Sequence, residues 1–123
     1  MLALELEPTP DAPSIARAAI RGFVDDMPLD AAARATLELL VSEVVTNAVI
    51  HPTVAPGNRI AFTALRVGDV VRVEVIDQGA GFQASPREPR AIGGHGLFLL
   101  DQQATRWGIE QRGGTAVWFE LAA

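Results

Sequence analysis

Apolar and polar residues alternate from Leu2 to Leu6 (LALEL), the period of a short strand with one buried face. Pro8, Pro10 and Pro13 interrupt that pattern. A helical period follows over 11–26, with Ile15, Ala18, Ala19 and Phe23 as its expected apolar stripe, and Met27-Pro28 stops it. Asp30 precedes three alanines and is the expected cap of a second helix. That helix runs to about Ile50, where His51-Pro52 ends it. After a loop with Pro56 and Gly57, residues 59–67 (RIAFTALRV) and 70–76 (VVRVEVI) read as strands joined by Gly68-Asp69, a hairpin signal. Residues 77–93 are rich in Gly and Pro and read as irregular. A short helix is expected over 94–103, then two strands, 105–111 and 115–121, around Gly113-Gly114. With no internal repeat and no long linker, the whole of 1–123 reads as one domain. The order predicts an α+β fold: a two-layer α/β sandwich whose mixed, mostly antiparallel sheet is covered by helices on one face.

One helix carries more than its packing requires. In VSEVVTNAVIH (41–51), Leu37, Leu40, Val41, Val44, Val45, Ala48 and Val49 form a broad apolar face. Glu43, Asn47 and His51 lie four apart in a row along its edge. A solvated boundary row explains three such residues. A site for a hard, oxygen-seeking ion such as Mg²⁺ explains them too, because an amide suits that ion better than a transition metal.

Composition narrows the chemistry. The chain has no cysteine, which excludes disulfides, thiolate zinc sites and a cysteine nucleophile. It has no lysine, since all 10 basic residues are arginines. The P-loop lysine, the protein-kinase strand lysine and Schiff-base chemistry are thereby removed. Any phosphate must be held by arginine, metal or backbone N–H groups. A net charge of −5 without a basic patch argues against direct nucleic-acid binding. The start of the chain lacks a signal peptide's basic region and apolar run, and no apolar run approaches the roughly 18 residues of a membrane helix. A cytoplasmic protein with no membrane partner is the expectation.

Two glycine-rich stretches follow the polar helix. In IDQGAGF (76–82), Asp77 ends a strand of β-branched residues, with Gly79 and Gly81 beyond it. Asp and Gly make a turn on their own account. They also make a pocket wall, where glycine admits a flat ligand and a carboxylate accepts from the exocyclic amine of adenine while repelling the oxygen of guanine. In GGHGLFLL (93–100), glycines open an apolar helix. That is either a flexible lead-in or a phosphate site on free helix N–H groups. It is neither a Walker A motif nor a dinucleotide fingerprint.

Taken in order, these stretches resemble the boxes of the GHKL ATPases, the group of gyrase and the histidine kinases. VSEVVTNAVIH resembles their N box, IDQGAGF the adenine-contacting G1 box and GHGLFLL the G2 box. Within the superfamily the chain is most similar to the anti-sigma-factor serine/threonine kinases. The SEVVTNA run (42–48), Trp107-Gly108 and GGTAVW (113–118) carry that likeness over nearly the whole chain.

The resemblance implies a GHKL (Bergerat) fold that binds ATP and Mg²⁺. It implies Asn47 as the Mg²⁺ ligand and Glu43 as general base on the hydroxyl that accepts the γ-phosphate. Asp77 and Thr115 would read adenine, and Gly79 and Gly81 would shape the purine pocket. Gly94, His95 and Gly96 would cradle the phosphates, Leu97 would anchor the new helix, and 82–93 would form the ATP lid with Arg87 and Arg90. His95 stands where many members have arginine, which implies a weaker and pH-dependent contact. His51 carries no chemical role in this reading. The implied partners are a STAS-like anti-anti-sigma protein as phosphoacceptor, a sigma factor, and a second copy in a homodimer, for which the sequence offers the exposed faces of the first helix without selecting one. Two alternatives stand beside this reading: an ATP-binding regulator that sequesters a partner without kinase activity, and a detached histidine-kinase catalytic domain. No phosphoacceptor helical hairpin precedes the boxes, which counts against the latter.

Overall fold

The computed structural model describes residues 1–49, 59–77, 94–111 and 114–122, with 94–97 as backbone only. The elements run β1 (Leu2–Leu6), α1 (Ala12–Phe23), α2 (Ala31–Val49), β2 (Ile60–Val67), β3 (Val70–Asp77), α3 (Gly94–Gln103), β4 (Arg106–Gln111) and β5 (Thr115–Ala122). The strands form one sheet in the order β1-β2-β3-β5-β4. Every pairing among them is antiparallel, so the expected mixed sheet is here wholly antiparallel. The chain leaves β3, crosses through α3 to the far edge at β4, and turns back to insert β5 beside β3. That insertion sets the first residue of β5 against the last residue of β3, Thr115 against Asp77.

Local chemistry explains the boundaries. Asp30 caps α2, its Oδ1 accepting from the Ala33 N–H at 2.8 Å. Gly68 takes φ +62 in the two-residue turn between β2 and β3. Positive φ at the first turn position only, with none at Asp69, is the type II′ pattern that matches strand twist. In α1, Pro13 sits in the first turn, where its missing N–H has no helical partner to lose. α1 ends at Phe23, short of the expected Asp26, and the chain turns through Val24, whose N–H reaches back to Ile20 O.

The core lies between the helices and one sheet face. Ile60, Phe62, Ala64, Val71, Val73, Val75, Phe119 and Leu121 alternate onto that face and meet Leu37, Leu40, Val41, Val44, Val45 and Ala48 of α2. Of the expected stripe of α1, Phe23 packs against the core, but Ile15 and Ala18 are exposed. Ala12, Ala16 and Ile20 are its buried residues, while Ile15 is 51% exposed. Both rows have helical spacing, and the alanine row wins because small side chains let α1 lie close against α2. Arg34 holds the α1–α2 connection, donating to the carbonyls of Val24 (3.0 Å), Met27 (2.8 Å) and Leu29 (3.1 Å). Among the described residues no helix is long and apolar enough to cross a membrane.

Candidate functional site

α2 carries two polar rows on opposite edges of its buried face. On one edge, Ser42 accepts from Arg17 Nη1 at 2.8 Å, and Glu38 takes both ends of the Arg21 guanidinium at 3.0 and 2.9 Å. These bonds pin that edge to α1. The Arg21 hydrogen bonds hold the Glu38 carboxyl below its ordinary pKa and raise that of Arg21, while burial acts the other way on both. Glu43 and Asn47 lie one turn apart on the other edge, roughly 100° or more around the helix, and both are half-buried. Besides α1, α2 also packs against α3. Sequence reasoning passed over Arg17 and Ser42, because an arginine and a serine on two separate helices carry no signal until the helices are docked.

The sheet contributes the second part. Asp77 and Thr115 face one another across β3 and β5, and each is only 5% exposed. They are the two buried polar residues of the described chain, set at one end of an otherwise apolar sheet face. Thr115 Oγ1 is buried and has no hydrogen-bond partner among the described residues. A hydroxyl in that state costs free energy unless something accepts from it or donates to it. A carboxylate and a hydroxyl side by side at the mouth of an apolar layer suit a flat, polar-edged ring, the chemistry of a purine. That donor and acceptor set is compatible with the edge of adenine.

α3 begins at Gly94, so Gly94, His95, Gly96 and Leu97 form its first turn, with N–H groups free of intrahelical partners. Such a turn carries partial positive charge suited to phosphate. Gly79 and Gly81, the lid expected over 82–93 with Arg87 and Arg90, and His51 lie outside the described residues. The described chain thus brings together Asp77 with Thr115 on the sheet, and Glu43 with Asn47 on the helix beside α3. Among the described residues no cluster of three or more His, Asp or Glu forms a metal cage. Mg²⁺ held through one amide and nucleotide phosphates needs no such cage.

The family model described as a histidine kinase-like ATPase domain matches residues 6–121. None of the curated proteins matches the chain. Among solved structures, the chain is similar to the RsbU and RsbW domains of Rv1364c from Mycobacterium tuberculosis, at 25% identity and a TM-score of 0.73. That match covers 98% of this chain and 32% of the other, so this chain spans about a third of that length.

Proposed function

The chain belongs to the histidine kinase-like ATPase domain family, and on that premise we propose that it is an ATP-dependent serine/threonine kinase of the anti-sigma type. The observation that carries the nucleotide reading is the buried Asp77–Thr115 pair, whose threonine hydroxyl is left without a partner in an apolar layer. Asp77 accepts from the adenine amine, and Thr115 satisfies its hydroxyl on the ring edge. The first turn of α3, with Gly94, His95, Gly96 and Leu97, receives the phosphates. Asn47 holds Mg²⁺. Gly79 and Gly81 let the backbone approach the purine. ATP supplies the phosphoryl group and Mg²⁺ neutralises its charge. Glu43 would take the proton from the acceptor hydroxyl while the γ-phosphoryl group passes to that oxygen, the bond from γ-phosphorus to the β–γ bridging oxygen breaks and ADP leaves.

In this reading the acceptor is a serine or threonine of a STAS-like anti-anti-sigma protein, and the other client is a sigma factor. The kinase assignment over mere sequestration rests on Glu43, half-buried one turn from Asn47 on the helix that contacts α3. Calorimetric titration of Mg·ATP and Mg·GTP into wild type and Asp77→Asn tests the pocket. Binding of ATP alone, lost in the variant, is expected. No ATP binding by wild type would overturn the reading. Phosphotransfer to a STAS-like acceptor then separates the classes. Acid-stable phosphate on the product, abolished by Glu43→Ala, is the kinase result. Acid-labile phosphate is the histidine-kinase result, and a tight complex with ATP but no transfer leaves a sequestering regulator.

A further inference from the structure

α2 buries its leucines and most of its valines, with one exception among the leucines. Leu37 and Leu40 are 0% exposed, whereas Leu39 between them is 39% exposed. Among the described residues it is the one large hydrophobic side chain of α2 left to solvent. An exposed leucine by itself calls for no partner, because single apolar residues on a surface are ordinary and leucine is a good helix former. Its place on the helix is what singles it out.

Leu39 lies four residues before Glu43, and Glu43 four before Asn47, so the three stand one above another on one edge of the helix. Exposure falls along that row: Ala35 and Leu39 are exposed, Glu43 and Asn47 half-buried. The other edge is taken, since Glu38 and Ser42 are bonded to Arg21 and Arg17 of α1. In the kinase reading proposed above, Asn47 holds the metal on the phosphates and Glu43 meets the acceptor hydroxyl. The nucleotide then occupies the Asn47 end of the row, and the acceptor protein reaches Glu43 from the open Leu39 end. Four helical residues rise about 6 Å. Two residues of an extended segment advance about 6.7 Å and point their side chains the same way. A segment laid along the row with its hydroxyl at Glu43 therefore sets the side chain two positions away over Leu39.

We propose that Leu39 is a specificity residue for the phosphoacceptor: it receives an apolar side chain two positions from the serine or threonine that is phosphorylated. The inference rests on the kinase reading and adds to it the feature by which the enzyme selects its protein substrate. Leu39 touches no reacting atom, so it is a positioning residue. Burying an apolar pair there strengthens binding equally before and during transfer, which lowers KM and leaves kcat unchanged. A charged side chain at the same acceptor position would be desolvated against leucine without a partner, so the contact also rejects such acceptors.

Steady-state phosphotransfer from Mg·ATP to a STAS-like acceptor protein tests it. Leu39→Gln keeps length and helix propensity but removes the apolar contact. It is expected to raise the KM for the acceptor about tenfold, with kcat within about twofold of wild type. Its KM for Mg·ATP is expected to match wild type, which also shows that the variant is folded. Leu39→Met is expected to restore the acceptor KM. The chain has no cysteine, so Leu39→Cys gives a single thiol for a photo-cross-linking label. That label is expected to join the acceptor beside its phosphorylated residue. A label on Asp69→Cys, in the exposed turn at the far end of β3 from Asp77, is not. An acceptor KM unchanged in Leu39→Gln overturns this inference and leaves the kinase reading standing. So does cross-linking from position 69 and not from 39. No transfer by wild type overturns the kinase reading and the inference with it.

Discussion

At the scale of single residues, Thr115 carries a local cost that the proposed ligand would offset. Its hydroxyl sits at the end of an apolar face with no hydrogen-bond partner among the described residues, and valine would fill the same volume without that penalty. Thr115→Val is therefore expected to leave the nucleotide-free protein as stable as wild type, or more stable by up to about 1–2 kcal/mol. The same change is expected to weaken ATP binding. Urea unfolding with and without Mg·ATP checks both halves, and a variant less stable without nucleotide would assign the hydroxyl a structural partner instead. Asp77 differs because the proposed role of its charge is to discriminate between bases, so Asp77→Asn tests selectivity where Thr115→Val tests desolvation. The strand-end place of Asp77 was legible in sequence, since a carboxylate ending a strand of β-branched residues is conspicuous. That Thr115 lies opposite it was not readable from spacing alone, because it depends on β5 returning between β3 and β4.

At the scale of elements, α1 and α2 are joined by polar contacts that periodicity cannot see. Arg34 satisfies three carbonyls of the turn between the helices within 3.1 Å, a geometry that needs the planar fork of a guanidinium. Arg34→Ala is expected to lower stability by about 2–3 kcal/mol, and Arg34→Lys to recover little of it, as urea midpoints will show. The Arg21–Glu38 pair is weaker because its arginine is 59% exposed. Its effect is visible through pH. The folded-state pKa of Glu38 is lowered, chiefly by hydrogen bonding to Arg21. Its contribution is therefore fully present above the ordinary glutamate range, near pH 4.3, and fades as pH falls through the lower folded value. Glu38→Gln should be slightly less stable than wild type at neutral pH, and the two should converge in acid. Divergence on acidification would contradict the sign. The helix and strand spans were readable within a few residues because β-branched runs, Asp30 and Gly68 mark them. The buried stripe of α1 was misread because side-chain size favoured Ile15, whereas close helix packing favoured Ala12, Ala16 and Ile20.

At the scale of the whole molecule, the site draws on both layers. Asp77 and Thr115 lie at the same end of two central strands, Glu43 and Asn47 ride on the helix that fills the core, and α3 packs against that helix. A ligand held by all three parts binds only the folded chain, so occupancy must appear as global stability. At nucleotide about a hundredfold above its dissociation constant, unfolding free energy is expected to rise by about 2.7 kcal/mol. The variants divide this effect by role. Asp77→Asn loses it because adenine is no longer read. Asn47→Ala loses its Mg²⁺-dependent part. Glu43→Gln keeps it, because a base acts on the acceptor hydroxyl and leaves the nucleotide's own contacts in place, yet it loses phosphotransfer. Thermal unfolding followed by circular dichroism, with ATP and with GTP, gives all of these from one set of samples. Loss of the shift in Glu43→Gln would make that carboxylate part of the binding site. Equal shifts with ATP and GTP would remove Asp77 from base recognition. The absence of any shift in wild type would leave the Asp77–Thr115 pair without its ligand.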